Sequence, residues 1–203
     1  MEEKIYFSDS YGKPISEQDS MNKFHKAYEE NGVIRKIEAY EVNVLMDIEY
    51  FLDDNENTDT VLAKLTEHVK RFVTLGRRKE YGKYTIVKSS QFSKGKVLFK
   101  ACELVDENNN VICIQVLDWK TEEPILESTE KYIIDDKGYD IAFFNYNDEG
   151  KFKSLTGSIV SELSVFIREP LYEIEEVNKY LPNLFQEYPY YRNATFLPEI
   201  LTL

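Results

Sequence analysis

The 203-residue chain reads as an α+β protein: a mostly antiparallel, twisted meander sheet of eight or so strands, packed on one face by about three helices. Three observations predict this class. From residue 84 onward, short runs rich in β-branched and aromatic residues alternate with short polar connections, as consecutive hairpin strands do. Three other segments carry apolar residues at spacings of three and four, the mark of amphipathic helices. The 15 Tyr and 12 Phe supply enough apolar volume for a sizeable core, while only 8 Gly and 6 Pro are present. One domain over 1–203 is expected, with an N-terminal subdomain over 1–55 as an open alternative.

The elements follow in chain order. Residues 4–15 read as a short strand and a turn. A helix is expected from Ser16 to Glu30: Ser16 and Asp19 resemble a capping box, Met21, Phe24 and Tyr28 form an i, i+3, i+7 stripe, and Asn31-Gly32 supplies a stop. From Val33 to Asp53 the period changes to two. Tyr40, Val42, Val44, Met46, Ile48 and Tyr50 alternate with mostly acidic neighbours, and Ile37 and Ala39 fall on the opposite parity, which places a bulge or tight turn near Ala39. A second helix is expected from Thr58 to Leu75, with Val61, Leu62, Leu65, Val69 and Phe72 on one side and Gly76 as its stop. Strands follow at 84–88, 96–105, 111–119, 125–134, 140–146, 151–155 and 158–167. Pro170 suits the first turn of a third helix ending near Leu181, and an aromatic tail follows from Phe185 to Tyr191.

Charge is sorted along this framework. Lys70–Lys100 holds ten basic residues and one acid, Glu80, which leaves 15 basic and 36 acidic residues elsewhere. The net charge is −12. Such sorting speaks to partners and association rates rather than to fold.

The start Met1-Glu2-Glu3-Lys4 has no basic n-region, and no apolar run approaches the length of a membrane span, so a cytoplasmic protein with no membrane partner is expected. Cys102 and Cys113 read as core thiols on strands flanking an Asp106–Asn110 turn. No Gly-x-Ser-x-Gly elbow occurs, and His25 and His68 are placed on helices with no partner spacing that nominates either. Neither Cys-x-x-Cys nor His-Glu-x-x-His is present, and the acidic run at Asp53 lacks the glycine and final glutamate of a calcium loop. No phosphate-binding glycine loop exists either. No catalytic residue, metal site or cofactor is therefore expected.

A weak repeat runs through the chain: an aromatic residue, then Asp or Asn three positions on, then Gly three further. It occurs at Tyr6–Asp9–Gly12, Tyr132–Asp135–Gly138 and Phe144–Asn147–Gly150, as a strand ending in a turn that Asp or Asn opens and Gly completes. The stretch Phe144–Phe152, together with Tyr6–Lys13, resembles the strand-turn units of bacterial MORN-like antitoxins and polymorphic-toxin immunity proteins. That resemblance implies a cytosolic bacterial protein that neutralises a toxin by binding it.

The leading expectation is thus a non-catalytic acidic protein-binding module, an immunity protein that occludes the active site of a cognate basic toxin. Its contact residues would be Asp53, Asp54, Glu56, Asp59, Glu122 and Glu123, with Tyr188, Tyr190 and Tyr191 as amphipathic anchors of the type enriched at interfaces. The alternative for those tyrosines is packing across the sheet. A second reading uses Arg77, Arg78, Lys79, Lys94 and Lys96, interleaved with aromatics, to grip single-stranded nucleic acid, against which the overall acidity argues. An enzyme of unrecognised type is a third, and a homodimer joining the basic segment of one copy to the acidic face of another is a fourth.

Overall fold

The computed structural model describes all residues except 1–2, 11, 17–21, 135–139, 158–166 and 199–203. Twelve strands form one sheet in strictly sequential order. They are β1 (Glu3–Ser8), β2 (Lys23–Glu30), β3 (Val33–Glu41), β4 (Val44–Phe51), β5 (Phe72–Tyr81), β6 (Tyr84–Ser93), β7 (Lys96–Val105), β8 (Val111–Leu117), β9 (Pro124–Ile134), β10 (Asp140–Tyr146), β11 (Phe152–Gly157) and β12 (Ile167–Leu171). Three short helices accompany them: α1 (Thr58–Thr66), α2 (Ile174–Tyr180) and α3 (Leu184–Glu187). The α+β meander is the architecture. A parallel pairing joins β4 to β5, with α1 in the crossover that a parallel pair requires.

Several elements differ from expectation for identifiable reasons. Residues 23–30 form β2, not the end of a helix. Pairing with β1 and β3 overrides the weak helical stripe, and the Asn31-Gly32 taken as a helix stop is a two-residue hairpin turn with φ of 52° and 82°. Residues 17–21 of the expected helix lie outside the described residues. The long alternating run at 33–53 is two strands, folded back at Val42-Asn43, with a register shift at Ala39/Tyr40 where the parity break was seen.

The helix expected to reach Leu75 stops at Thr66, because Phe72–Gly76 pairs with Asp47–Phe51. β-branched Val73 and Thr74 favour that ladder. Gly76 sits within β5 instead of stopping the helix, and Lys70 and Arg71 lie between α1 and β5. Pro170 belongs to β12, and α2 begins at Ile174. The strand expected at 158–167 falls outside the described residues except for Ile167.

Contacts divide the chain into two compact units. Unit 1 comprises residues 1–78 and 88–100, and unit 2 residues 79–87 and 101–203. In unit 1, Leu52, Val73, Leu75 and Phe92 form a core onto which Tyr50, Val61, Leu62, Leu65 and Val69 pack. Asn57 caps α1, its Oδ1 accepting from the Thr60 N–H at 3.0 Å. In unit 2 the core is larger and aromatic: Ala142, Phe144, Tyr146, Leu155, Val177, Leu184, Phe185 and Ala194, with Phe152 and Tyr191 against them.

The repeat seen in sequence corresponds to a repeated turn. At Asp9–Lys13, Asp106–Asn110 and Asn147–Lys151 the first N–H donates to the fifth carbonyl at 2.9 Å, and the fourth N–H donates to the first carbonyl. The opening side-chain oxygen accepts from the fifth N–H at 2.8–2.9 Å in all three. The fourth residue has positive φ each time: Gly12 83°, Asn109 61°, Gly150 73°. The Asp106 copy escaped the sequence pattern because Asn109 replaces the glycine and Glu103 the aromatic. The expected Tyr132–Gly138 copy lies partly outside the described residues.

Candidate functional site

The expected contact residues fall into three places. In unit 1, the loop between β4 and α1 carries Asp53, Asp54 and Glu56, with Asp59 in the first turn of α1. Its acids are largely engaged from within. Arg35 donates from Nη1 to Asp53 Oδ1 at 2.6 Å and from Nη2 to Asp53 Oδ2 at 2.7 Å, and reaches Glu56 Oε2 at 3.1 Å. Tyr50 Oη donates to the other Glu56 oxygen at 2.8 Å. Burial alone would raise the Glu56 carboxyl pKa, but the Asp53 N–H, Tyr50 and Arg35 together bring it below the usual value. Asp54 and Asp59 are exposed.

The basic set is divided in the same way. Arg77 donates to the carbonyls of Asp53 and Glu56 at 2.6 and 2.8 Å, clamping the acidic loop through its backbone. Arg78 lies 3.6 Å from the Phe51 ring centroid and donates to the Ile34 carbonyl. Two of the five residues nominated for nucleic acid are thus structural. Lys79, Lys94 and Lys96 are exposed. Lys94 shares an open groove with Asp59, Leu62, Ala63, Thr66, Glu67 and Gly95, so one residue from each rival set lines the same cleft.

The second place is the β8–β9 turn of unit 2. Asp118 Oδ1 accepts from the N–H groups of Lys120 and Thr121 at 2.8 Å each, and the Glu122 N–H closes on the Asp118 carbonyl at 2.8 Å. Thr121 Oγ1 accepts from the Glu123 N–H. The turn holds Glu122 at φ 60° and presents Trp119, the chain's only tryptophan, at 55% exposure with Glu122 and Glu123 beside it. Lys120 Nζ sits 4.9 Å from the indole centroid. Trp119 was expected inside a strand; Leu117 ends that strand.

The third place is the tail. Tyr188 is exposed, but Tyr190 and Tyr191 pack inward. Tyr191 stacks on Phe144 at 4.5 Å and donates to the Tyr132 carbonyl, and Tyr190 donates to the Phe196 carbonyl at 2.8 Å. Burial pushes the Tyr191 phenol up to about 12 and Tyr190 higher still. For these two, packing is the observed role.

Sequence reasoning missed what holds the tail: Lys131. It stands on β9 in a row with Cys113 and Phe144, and its side chain is fully buried. Its Nζ donates to the carbonyls of Tyr190 and Asn193 at 2.5 and 2.8 Å and lies 3.4 Å from the Tyr190 ring centroid. Burial lowers its pKa to about 7. A neutral amine retains two N–H bonds, enough for both carbonyls. Opposite it, burial raises the Cys113 thiol to about 11, which makes it a poor nucleophile. The parity that sets exposed Glu130 apart from inward Thr129 and Lys131 was the one available signal.

Two further groupings were not anticipated. On β3, Glu38 accepts from Lys36 Nζ at 2.8 Å, Tyr28 Oη at 2.5 Å and Tyr40 Oη at 2.8 Å. Burial opposes its ionisation, yet these three donors hold its pKa below the ordinary value. Ser8, His25, Ala39 and Asp47 occupy one row across β1–β4, so a serine, a histidine and an aspartate share a face. They do not form a relay. Ser8 Oγ is buried with no hydrogen-bond partner among the described residues, and Asp47 accepts from Arg71 and the Phe72 N–H. His25 lies on a strand rather than a helix, and burial lowers its pKa against the pull of Asp9 and Asp47.

Among the described residues no group of three or more His, Cys, Asp or Glu is placed to hold a metal ion, and no helix is long and apolar enough to cross a membrane. Comparison with family models, with curated proteins and with solved structures finds no match to the chain.

Proposed function

We propose that the chain is a non-catalytic protein-binding module of the cytoplasm, an immunity protein whose acidic unit 2 seats on the basic cleft of a cognate toxin and occludes it. The observation that carries this reading is the segregation of charge between the units. Unit 2 contains 10 basic and 21 acidic residues, and unit 1 contains 15 and 16. Lys131 is buried, so it neutralises nothing at the surface of unit 2. Exposed acids there include Glu107, Glu122, Glu123, Glu127, Glu130, Asp148 and Glu149. A field of one sign accelerates capture of an oppositely charged protein, and an exposed indole on a rigid turn is the type of anchor that dominates interface energetics. Trp119 would fill the desolvated centre while Glu122 and Glu123 meet cationic side chains of the toxin. The internally paired Asp53 and Glu56 are poorer contacts, since a partner would have to displace Arg35.

The test is capture of the basic product of the gene next to this one, with association rates measured against salt. Association should slow roughly ten-fold or more between low and high ionic strength, and E122Q–E123Q should reproduce much of that loss at low salt. W119A should speed dissociation about 30-fold or more, the scale of an anchor residue. Capture that ignores salt, or a neighbouring product that is neither basic nor bound, would remove the reading.

A further inference from the structure

Unit 1 carries a surface that neither core absorbs. Directly opposed residues of an antiparallel pair point to the same face. The registers Phe7↔Lys26↔Glu38, Phe24↔Tyr40 and Ile5↔Tyr28↔Lys36 therefore set these side chains on one face of β1–β3. The opposite face of the same strands is covered near Gly12, where a Cβ would meet Ile34 and Ile37. On the first face, Phe24 and Tyr40 lie parallel at 4.9 Å and Phe7 meets Phe24 edge-on at 5.5 Å. All three rings are half-buried and belong to neither apolar core. Lys26 stands among them, its Nζ 6.0, 5.8 and 5.4 Å from the three centroids.

The charge balance of this face is uneven. Glu38 is the direct cross-strand neighbour of Lys26, but its carboxylate is already taken by Lys36, Tyr28 and Tyr40. Lys26 is left with ring partners alone among the described residues. The Lys26 ammonium thus lies within cation–π range of all three rings. The result, among the described residues, is an aromatic patch around a cation that has no ion-pair partner.

We propose that this face of β1–β3 binds a nucleotide unit, its base against Phe7, Phe24 and Tyr40 and its phosphate on Lys26. A bare carboxylate would satisfy Lys26 and leave the rings to water; a base bearing a phosphate satisfies both. The patch is distinct from the basic 70–100 stretch, where Arg77 and Arg78 are committed to loop carbonyls. It is also independent of the unit 2 reading above. The shared chemistry comes from two sources, a free mononucleotide or a unit within a single strand.

The experiment is fluorescence anisotropy of a labelled oligouridylate octamer with the full chain at about 50 mM salt, with AMP and polyglutamate as competitors, in variants whose melting temperature matches the parent. One or two neutralised phosphates predict a log–log salt slope of about −1, far shallower than a basic channel gives. K26E, and F24L which keeps apolar volume but removes the ring, should each weaken binding about ten-fold, while K94E–K96E should leave it unchanged. Competition by AMP identifies a mononucleotide site, and its failure identifies a strand site; either supports the assignment. Binding that survives K26E and F24L, falls with K94E–K96E, yields equally to polyglutamate, or does not occur overturns it.

Discussion

Units 1 and 2 both bury charged and polar groups, but they satisfy them by different means. Unit 1 pairs charge with charge: Lys36 with buried Glu38, Arg35 with Asp53 and Glu56, and, at the surface, exposed Arg71 with Asp47 and Glu41. Unit 2 instead encloses a single lysine among aromatic rings and backbone carbonyls, with no carboxylate opposite. Its 21 acids outnumber its 10 bases, and many of those acids lie at the surface. Asp53 and Glu56 are held by Arg35, so a partner would have to displace that pairing, whereas Glu107, Glu123 and Asp148 of unit 2 are exposed. The pattern of burial thus decides which acids can act in recognition, and total charge alone could not.

The largest way to break this contrast is to cut the aromatic core. Phe144 is fully buried, stacked with Tyr191 and edge-on to Phe185. F144A should destabilise unit 2 by about 3–5 kcal/mol, the cost of a large core cavity, and remove hydrogen-exchange protection at β10 and β11. A loss below about 1 kcal/mol by denaturant titration would mean that this cluster is not the core of unit 2.

Next in size are the two polar strategies themselves. R35A leaves Glu56 and Tyr50 without their cationic partner and should cost about 1–3 kcal/mol. K131M removes the donor to the Tyr190 and Asn193 carbonyls and should cost a similar amount, about 1–3 kcal/mol. Their pH signatures separate them. Glu38 and Glu56 have lowered pKa values when folded, so their contribution is present above the ordinary carboxylate pKa and is lost as pH falls through the lowered one. Lys131 runs the other way. With a folded pKa of about 7 against 10.5 unfolded, it penalises the fold at and below neutrality, and stability rises with pH between those values. Cys113, raised from 9.0 to about 11, withdraws stability above pH 9.0. Chemical denaturation across pH should therefore show a rise above neutrality that K131M abolishes and R35A leaves intact; a rise persisting in K131M would refute the assignment.

How much of this was legible depended on which force dominated each segment. The meander from β7 to β11 was readable because period-two patterning and turn chemistry agree there. Residues 23–30 were not, because Phe24 and Tyr28 satisfy a helical spacing as well as a strand face, and only pairing with β1 and β3 decides between them. The end of α1 was misplaced for the same reason: Val69 and Phe72 continue a stripe that the parallel ladder interrupts. Glu122 and Glu123 were legible as exposed acids of a turn. Lys131 was not, since a lysine between Glu130 and Tyr132 gives no hint that its acceptors are carbonyls some sixty residues away. The Lys26 patch was hidden by the helix reading, which set Phe24 and Lys26 on different faces.

The smallest effect sharpens the comparison by testing strain outside both cores. Val42 occupies the first position of the β3–β4 turn at φ 48°, a conformation that penalises a β-branched side chain, and it is 73% exposed. The other two-residue turns with paired positive φ place Asn31-Gly32 and Lys94-Gly95 there, residues that tolerate it better. Nothing buried is gained by the valine in the isolated chain, so V42N should stabilise unit 1 by about 0.5–1 kcal/mol, seen as a higher denaturation midpoint at unchanged slope. No gain would mean that the Val42 N–H bond to the Asn22 carbonyl already relieves the turn, and that the strain resides in the side chain's surroundings instead of its backbone.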